Sequence, residues 1–179
     1  MIEALISSKT RIKLLLKFFL NSKTTSYLRG LESEFGESSN AIRLELNRFE
    51  KAGMLESFSE GNKKMFQANT NHPLFEQIHK ILLKHIGVDK IVDDVVKRLG
   101  DVQQVFLVGD LAKGKESSVI DLLFIGKLDK LYLVELIDKV EKLISRKVKY
   151  LIYSREEYEK QLSQESFSEK SILIWNRDQ

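Results

Sequence analysis

The chain of 179 residues is 42% hydrophobic and 31% charged, enough to bury a core under a solvated surface, which excludes a disordered tail or a fibrous repeat as its main description. It contains no cysteine, so a disulfide framework, a thiolate zinc site and a nucleophilic thiol are excluded, in keeping with a reducing cytoplasm. The net charge of +3 sits in Met1–Thr70, which holds 11 Lys and Arg against 8 Asp and Glu, while Asn71–Gln179 holds 18 of each. Such an excess bears on a polyanionic partner only if the fold beneath it is one that binds nucleic acid. The longest apolar run, Leu14–Leu20, is interrupted by Lys17 and too short for a bilayer. No basic segment precedes an apolar one with a cleavage site, so an untargeted, cytoplasmic protein with no membrane partner is expected.

In chain order, Ser7 and Ser8 precede Ile12, Leu15, Leu16 and Phe19, spaced i, i+3, i+4 and i+7, which predicts an amphipathic helix ending near Asn21, with Lys17 mainly off the apolar face. Leu28, Leu31 and Phe35 predict a second, short helix stopped by Gly36. A third opens on a serine cap at Ser38 or Ser39, buries Ile42, Leu46 and Phe49, and ends at Gly53. Two strand-like runs, from Met54 and from Lys64, then flank Glu60-Gly-Asn-Lys and predict a hairpin.

Helix, helix, capped helix and hairpin is the order of a winged helix-turn-helix, whose third helix enters the major groove while the hairpin wing grips the adjacent backbone. Counted at 100° per residue from Ile42, the outward positions of the third helix are Asn40, Arg43, Leu44, Asn47 and Lys51. Arg and Asn can bond bidentately to guanine and adenine edges, and an exposed Leu44 can meet a thymine methyl. Lys63 and Lys64 beside the wing tip read as phosphate contacts. The same residues also fit an ordinary solvated face on a helical module used for protein contact. Through Arg11-Ile-Lys-Leu-Leu, Asn47-Arg-Phe-Glu-Lys-Ala-Gly-Met-Leu and Glu60-Gly-Asn-Lys, the segment resembles the winged-helix domains of ArsR-like regulators. Metal-sensing members of that group use cysteine ligands, absent here, so thiolate metal sensing does not carry over.

Asn71-His-Pro-Leu-Phe opens a helix with Phe75, Ile78, Leu82, Leu83 and Ile86 on its apolar face, and a second helix follows with Ile91, Val92, Val95, Val96 and Leu99. His72, His79 and His85 lack a metal-ligand spacing and read as core or surface histidines. Further on, Gln103–Val108 and Val119–Ile125 read as strands joined by a polar loop, Tyr132 to Ile144 as a long helix, Val148–Tyr153 as a third strand, Ser154 as a helix cap, and Ser171–Trp175 as a strand closing the sheet.

Gly109-Asp-Leu-Ala-Lys-Gly, followed by Asp121-Leu-Leu-Phe-Ile-Gly, resembles the minimal nucleotidyltransferase signature: a Gly-Ser turn, an Ala-x-Gly loop and a Ser-Asp-x-Asp strand. The resemblance implies a turn that cradles nucleotide phosphates, and paired carboxylates that hold Mg²⁺ across them, with a third carboxylate from a later strand. Gly109, Ala112 and Gly114 match. The serine is replaced by Asp110, the first metal Asp by Val119, only Asp121 of the pair remains, and Val148–Tyr153 offers no carboxylate. Asp110 can substitute only if the loop brings it to Asp121, and a lone Asp121 also fits a turn cap or a partner for Lys113 or Lys115.

The fold class expected is therefore α+β, with a winged helix at residues 1–70, a helical connector at 71–100 and a nucleotidyltransferase-like α/β domain at 101–179. The expected protein is a transcription regulator binding double-stranded DNA as a homodimer, whose second domain has no catalytic residue, metal or cofactor and serves in sensing, dimerisation or contact with a protein partner or small-molecule effector. Gly109, Asp110, Gly114 and Asp121 form its vestigial nucleotide site. The alternatives are an active, antitoxin-like nucleotidyltransferase modifying a protein or RNA, and a pure protein-interaction module.

Overall fold

The computed structural model describes residues 2–162 and 170–178 and shows a mixed α+β chain. It divides into two compact units, Met1–Leu82 and Leu83–Gln179. Among the described residues, no helix is long and apolar enough to cross a membrane.

The first unit begins with a single turn at Ile2–Ala4 and then α1 (Lys9–Leu15), which is capped by the Ser8 side chain accepting from Arg11 N–H at 3.2 Å. The helix runs on as a π-turn over Leu16–Leu20. The expected amphipathic stripe is corrected here, because Leu14, Phe18 and Leu20 are buried along with Leu15, Leu16 and Phe19. Lys17 is buried too, its ammonium 2.8 Å from the Glu34 carboxylate, so a residue expected mainly off the apolar face is a charge-paired part of the interior. The helical period alone could not separate a stripe from a helix enclosed on every side.

A two-residue strand with no sequence signal, β1 (Ser26–Tyr27), leads into α2 (Leu28–Phe35), which Gly36 ends in a left-handed turn donating to the Glu32 carbonyl. Then come α3 (Ser39–Lys51) and a hairpin of β2 (Leu55–Glu60) and β3 (Lys63–Ala68), with Glu60 opposite Lys63 across the two-residue Gly61-Asn62 loop. The antiparallel order is β1-β3-β2. Beyond Leu55, β2 is exposed, as suits an edge strand. The next helix, α4 (Phe75–Ile86), starts at Phe75 rather than at Asn71, and Pro73 sits in the turn before it. Phe75 stacks on His79, whose Nδ1 is 2.8 Å from the Phe19 carbonyl, so this histidine belongs to the packing of the unit.

The second unit holds α5 (Val88–Asp94), shorter than expected because it breaks at Val95 into a single turn over Val96–Arg98. Its sheet has the order β6-β5-β4-β7, from β4 (Val102–Val108), β5 (Val119–Gly126), β6 (Lys147–Tyr153) and β7 (Ile172–Asn176). β4 is antiparallel to β5 and β7, and β5 is parallel to β6 through α7 (Lys130–Ile144), which Asp129 caps. Ile120, Leu122 and Phe124 are buried on one sheet face, and on the other Phe106, Leu123 and Ile125 pack with Tyr153 and with Tyr158 of α8 (Arg155–Leu162). The loop between β4 and β5 carries a helical turn not anticipated from its polar sequence, α6 (Gly109–Ala112).

Candidate functional site

In the first unit the site is built on α3. Ser38 caps it, accepting from Ala41 N–H at 3.2 Å, and Ile42, Leu46 and Phe49 face inward. Glu45 is buried beside them and draws in cations. Arg11 donates to it at 2.9 and 3.2 Å, Arg48 at 3.1 Å and Ser8 at 3.3 Å, so one carboxylate joins α1 to α3. Burial works to raise the Glu45 pKa, but hydrogen bonding and charge from Arg11, then the charge of Arg48, outweigh it and hold the carboxyl below the ordinary glutamate range. The register so set turns Asn40, Arg43, Leu44, Asn47 and Lys51 to solvent.

Arg43 and Asn47 also line a groove of about 700 Å³ with Lys63 and Lys64 of the hairpin. Asn40, Leu44 and Lys51 are exposed but lie outside it. Its remaining walls are Tyr27, Leu28, Arg29, Leu46, Asn62 and Phe66, so among the described residues it carries four cations and no carboxylate. Tyr27, Arg29 and Asn62 were not legible as site residues. A strand of two residues shows no alternation, and Asn62 reads only as turn chemistry.

The two hairpin lysines differ. Lys64 donates to Glu50 at 2.7 Å, and Ser57 holds the other oxygen of that carboxylate at 2.5 Å. Hydrogen bonds from Lys64 and then Ser57 keep Glu50 below the ordinary glutamate range. The Lys63 ammonium instead lies 4.4 Å from the centre of the Tyr27 ring.

The second unit holds an open cleft of about 650 Å³ lined by Val108, Gly109, Asp110, Asp121, Leu122, Val148, Lys149, Tyr150 and Leu151. Gly109 has φ 71°, and a Cβ there would run into the Asp121 side chain, so both backbone and space favour glycine. The Lys113 and Lys115 amides donate to the Asp110 carbonyl at 3.0 Å and the Gly114 amide to Leu111 at 2.9 Å, winding the loop so that Asp110 and Asp121 reach one cleft. Gly114 closes this loop with φ 72° outside the cleft lining.

Residues of this cleft do not fit a divalent cation. Val119, two residues before Asp121 on β5, has no ligating atom, and the β6 residue in register with Asp121 is Lys149, which adds positive charge to the cleft lining. Among the described residues, no group of three or more His, Cys, Asp and Glu side chains is placed to hold a metal.

No protein-family model and no curated protein matches the chain. Among solved structures it is similar to the toxin–antitoxin MntA-HpeT in a mutant form, at 20% identity over 50% of this chain and 72% of that one, with a TM-score of 0.39. It is similar to AF1382 from Archaeoglobus fulgidus at 20% identity, over 46% of this chain and 93% of that one, with a TM-score of 0.38. A Shewanella oneidensis HEPN toxin in complex with MNT antitoxin matches at 18% identity, over 53% and 74% of the respective chains, with a TM-score of 0.37. Each likeness spans about half of this chain and concerns fold alone.

Proposed function

We propose that this chain is a DNA-binding regulator. Its first seventy residues act as a winged helix that reads duplex DNA with α3 and holds the backbone with the hairpin, and its second unit is a nucleotidyltransferase-like module without transfer chemistry, used for sensing, dimerisation or contact with another protein. The observation that carries this reading is the groove in which Arg43 and Asn47 of α3 meet Lys63 of the hairpin with no carboxylate among the described lining residues. Asn and Arg side chains exposed at i and i+4 suit base edges, and the flanking cations suit phosphates. The active species is a homodimer, since a two-fold protein matches two half-sites. The test is salt-dependent binding of duplex DNA by the full chain, with selection of a preferred sequence from random duplexes and light scattering for the dimer. An absence of affinity at low salt removes the reading.

A second reading, an antitoxin-like nucleotidyltransferase acting on a protein or RNA partner, is favoured by the loop that brings Asp110 and Asp121 to one cleft. The toxin–antitoxin structures named above stand on its side, and the carboxylate set stands against it. Labelling of a partner or RNA from a radioactive nucleotide with Mg²⁺, abolished by Asp121→Ala, would replace the first reading with this one.

A further inference from the structure

The four cations of the first unit's groove are not equivalent. Lys64 is neutralised by Glu50, 2.7 Å away, and that carboxylate is itself fixed by Ser57. Arg29, Arg43 and Lys63 line the same groove, and none of them makes an ion pair among the described residues, Glu60 opposite Lys63 in the hairpin included. Like charges gathered around one concavity without a counter-charge raise its positive potential and favour a fixed anion. Lys63 is also held in place, its ammonium 4.4 Å from the centre of the Tyr27 ring, so less freedom is lost when it meets a ligand. Leu28, Leu46 and Phe66 give the groove an apolar wall between these cations. Positive rim and apolar wall together match a sugar–phosphate strand, whose anionic oxygens alternate with the carbon faces of deoxyribose.

We propose that this groove seats one sugar–phosphate strand of duplex DNA, with Arg29 and Lys63 as its phosphate ligands, Tyr27 positioning Lys63, and Lys64 withheld from the DNA by Glu50. This rests on the DNA-binding reading above and deepens it. Arg43 and Asn47, which belong both to the exposed face of α3 and to the groove, join the held strand to the bases beside it.

The test is fluorescence anisotropy of the full-length protein with a random-sequence duplex across a salt series, beside variants whose thermal unfolding matches that of the parent. Each phosphate contact contributes about 0.9 to the slope of log affinity against log salt. Arg29→Gln and Lys63→Gln are each expected to lower that slope by about 1, and Lys64→Gln to leave it unchanged. Tyr27→Leu should weaken binding with the slope retained, because the charge stays while its support is removed. Should Arg29→Gln fail to fold, Lys63→Gln on the exposed hairpin reads the same groove. If the parent binds duplex with a salt slope that neither Arg29→Gln nor Lys63→Gln alters, the groove assignment falls and the DNA-binding reading stands. If Lys64→Gln lowers the slope as much as Lys63→Gln, the withheld-lysine assignment falls. Tighter binding of a single strand of equal length, with the same loss of slope in the variants, overturns the duplex in favour of an unpaired strand. A parent protein with no salt-dependent duplex binding overturns both.

Discussion

The groove of the first unit and the cleft of the second are both open concavities with an apolar wall and charged side chains, and they differ in how the charge is balanced. Around the groove the described lining charges are all positive, and only Lys64 has a carboxylate partner, the Glu50 side chain outside the lining. In the cleft two carboxylates, Asp110 and Asp121, share the lining with Lys149. A concavity of one sign needs its counter-charge from a ligand, whereas in the cleft Lys149 offsets one of the two carboxylates and lowers the demand for an external cation. The difference teaches that the sign and balance of the lining charges, rather than concavity alone, decide what kind of ligand a site can hold.

The comparison is most exposed to failure at α3. Replacing Arg43 or Asn47 by Ala should cost about 1 to 3 kcal/mol at a selected duplex site and much less on random duplex. Equal losses on both would make these side chains backbone contacts and blur the distinction between holding and reading.

The next largest effect is expected in the cleft. Gly109→Ala should destabilise the second unit by about 2 kcal/mol, from the left-handed backbone and the approach to Asp121 together. Adding Asp121→Ala should recover the steric part and leave about 1 kcal/mol of backbone cost, measured by urea unfolding. A double variant no more stable than the single one would mean that Asp121 does not pack on the turn.

Glu45→Gln should cost about 1.5 kcal/mol, since charge-assisted hydrogen bonds to Arg11 and Arg48 are lost from a buried position. The pH dependence has a definite sign. The Glu45 carboxyl titrates lower in the folded chain than in the unfolded one, so its contribution is complete above the unfolded value of about 4.3 and is lost as the pH falls through the folded value. The melting temperature of the parent should therefore drop more steeply below pH 4.3 than that of Glu45→Gln. Parallel curves would show that Glu45 is not the acid-sensitive tie.

The smallest effect expected is none at all: Mg²⁺ should leave the melting temperature of the parent unchanged, with or without ATP. Val119→Asp combined with Lys149→Asp should introduce Mg²⁺ stabilisation, read by the same thermal scan, because the first puts an oxygen ligand two residues before Asp121 on β5 and the second puts one in register with Asp121 on β6. Mg²⁺ stabilisation of the parent would break the contrast between groove and cleft.

Much of this architecture was legible residue by residue. Ser38 and Gly36 mark helix ends by local hydrogen bonding and backbone conformation, and Gly61-Asn62 marks the hairpin by its turn chemistry. Period 3.6 placed Ile42, Leu46 and Phe49 inside α3 and turned Arg43 and Asn47 outward. The loop from Gly109 to Gly114 stood out by its polar sequence and by two glycines at the spacing of the motif it resembles, and both glycines have positive φ in the structure. Legibility stopped at Lys17, whose burial depends on Glu34 of α2.

The sequence by itself determined these local states, because caps, turns and helical faces arise from residues within a few positions of one another. Only the tertiary structure decided that Glu50 takes Lys64 and leaves Lys63 over Tyr27, that Tyr27 and Arg29 line the groove beside Arg43, and that Lys149 stands in register with Asp121. Each of those facts joins residues far apart in the chain through strand register or helix packing, and register follows from which faces the whole unit buries, which no local window contains.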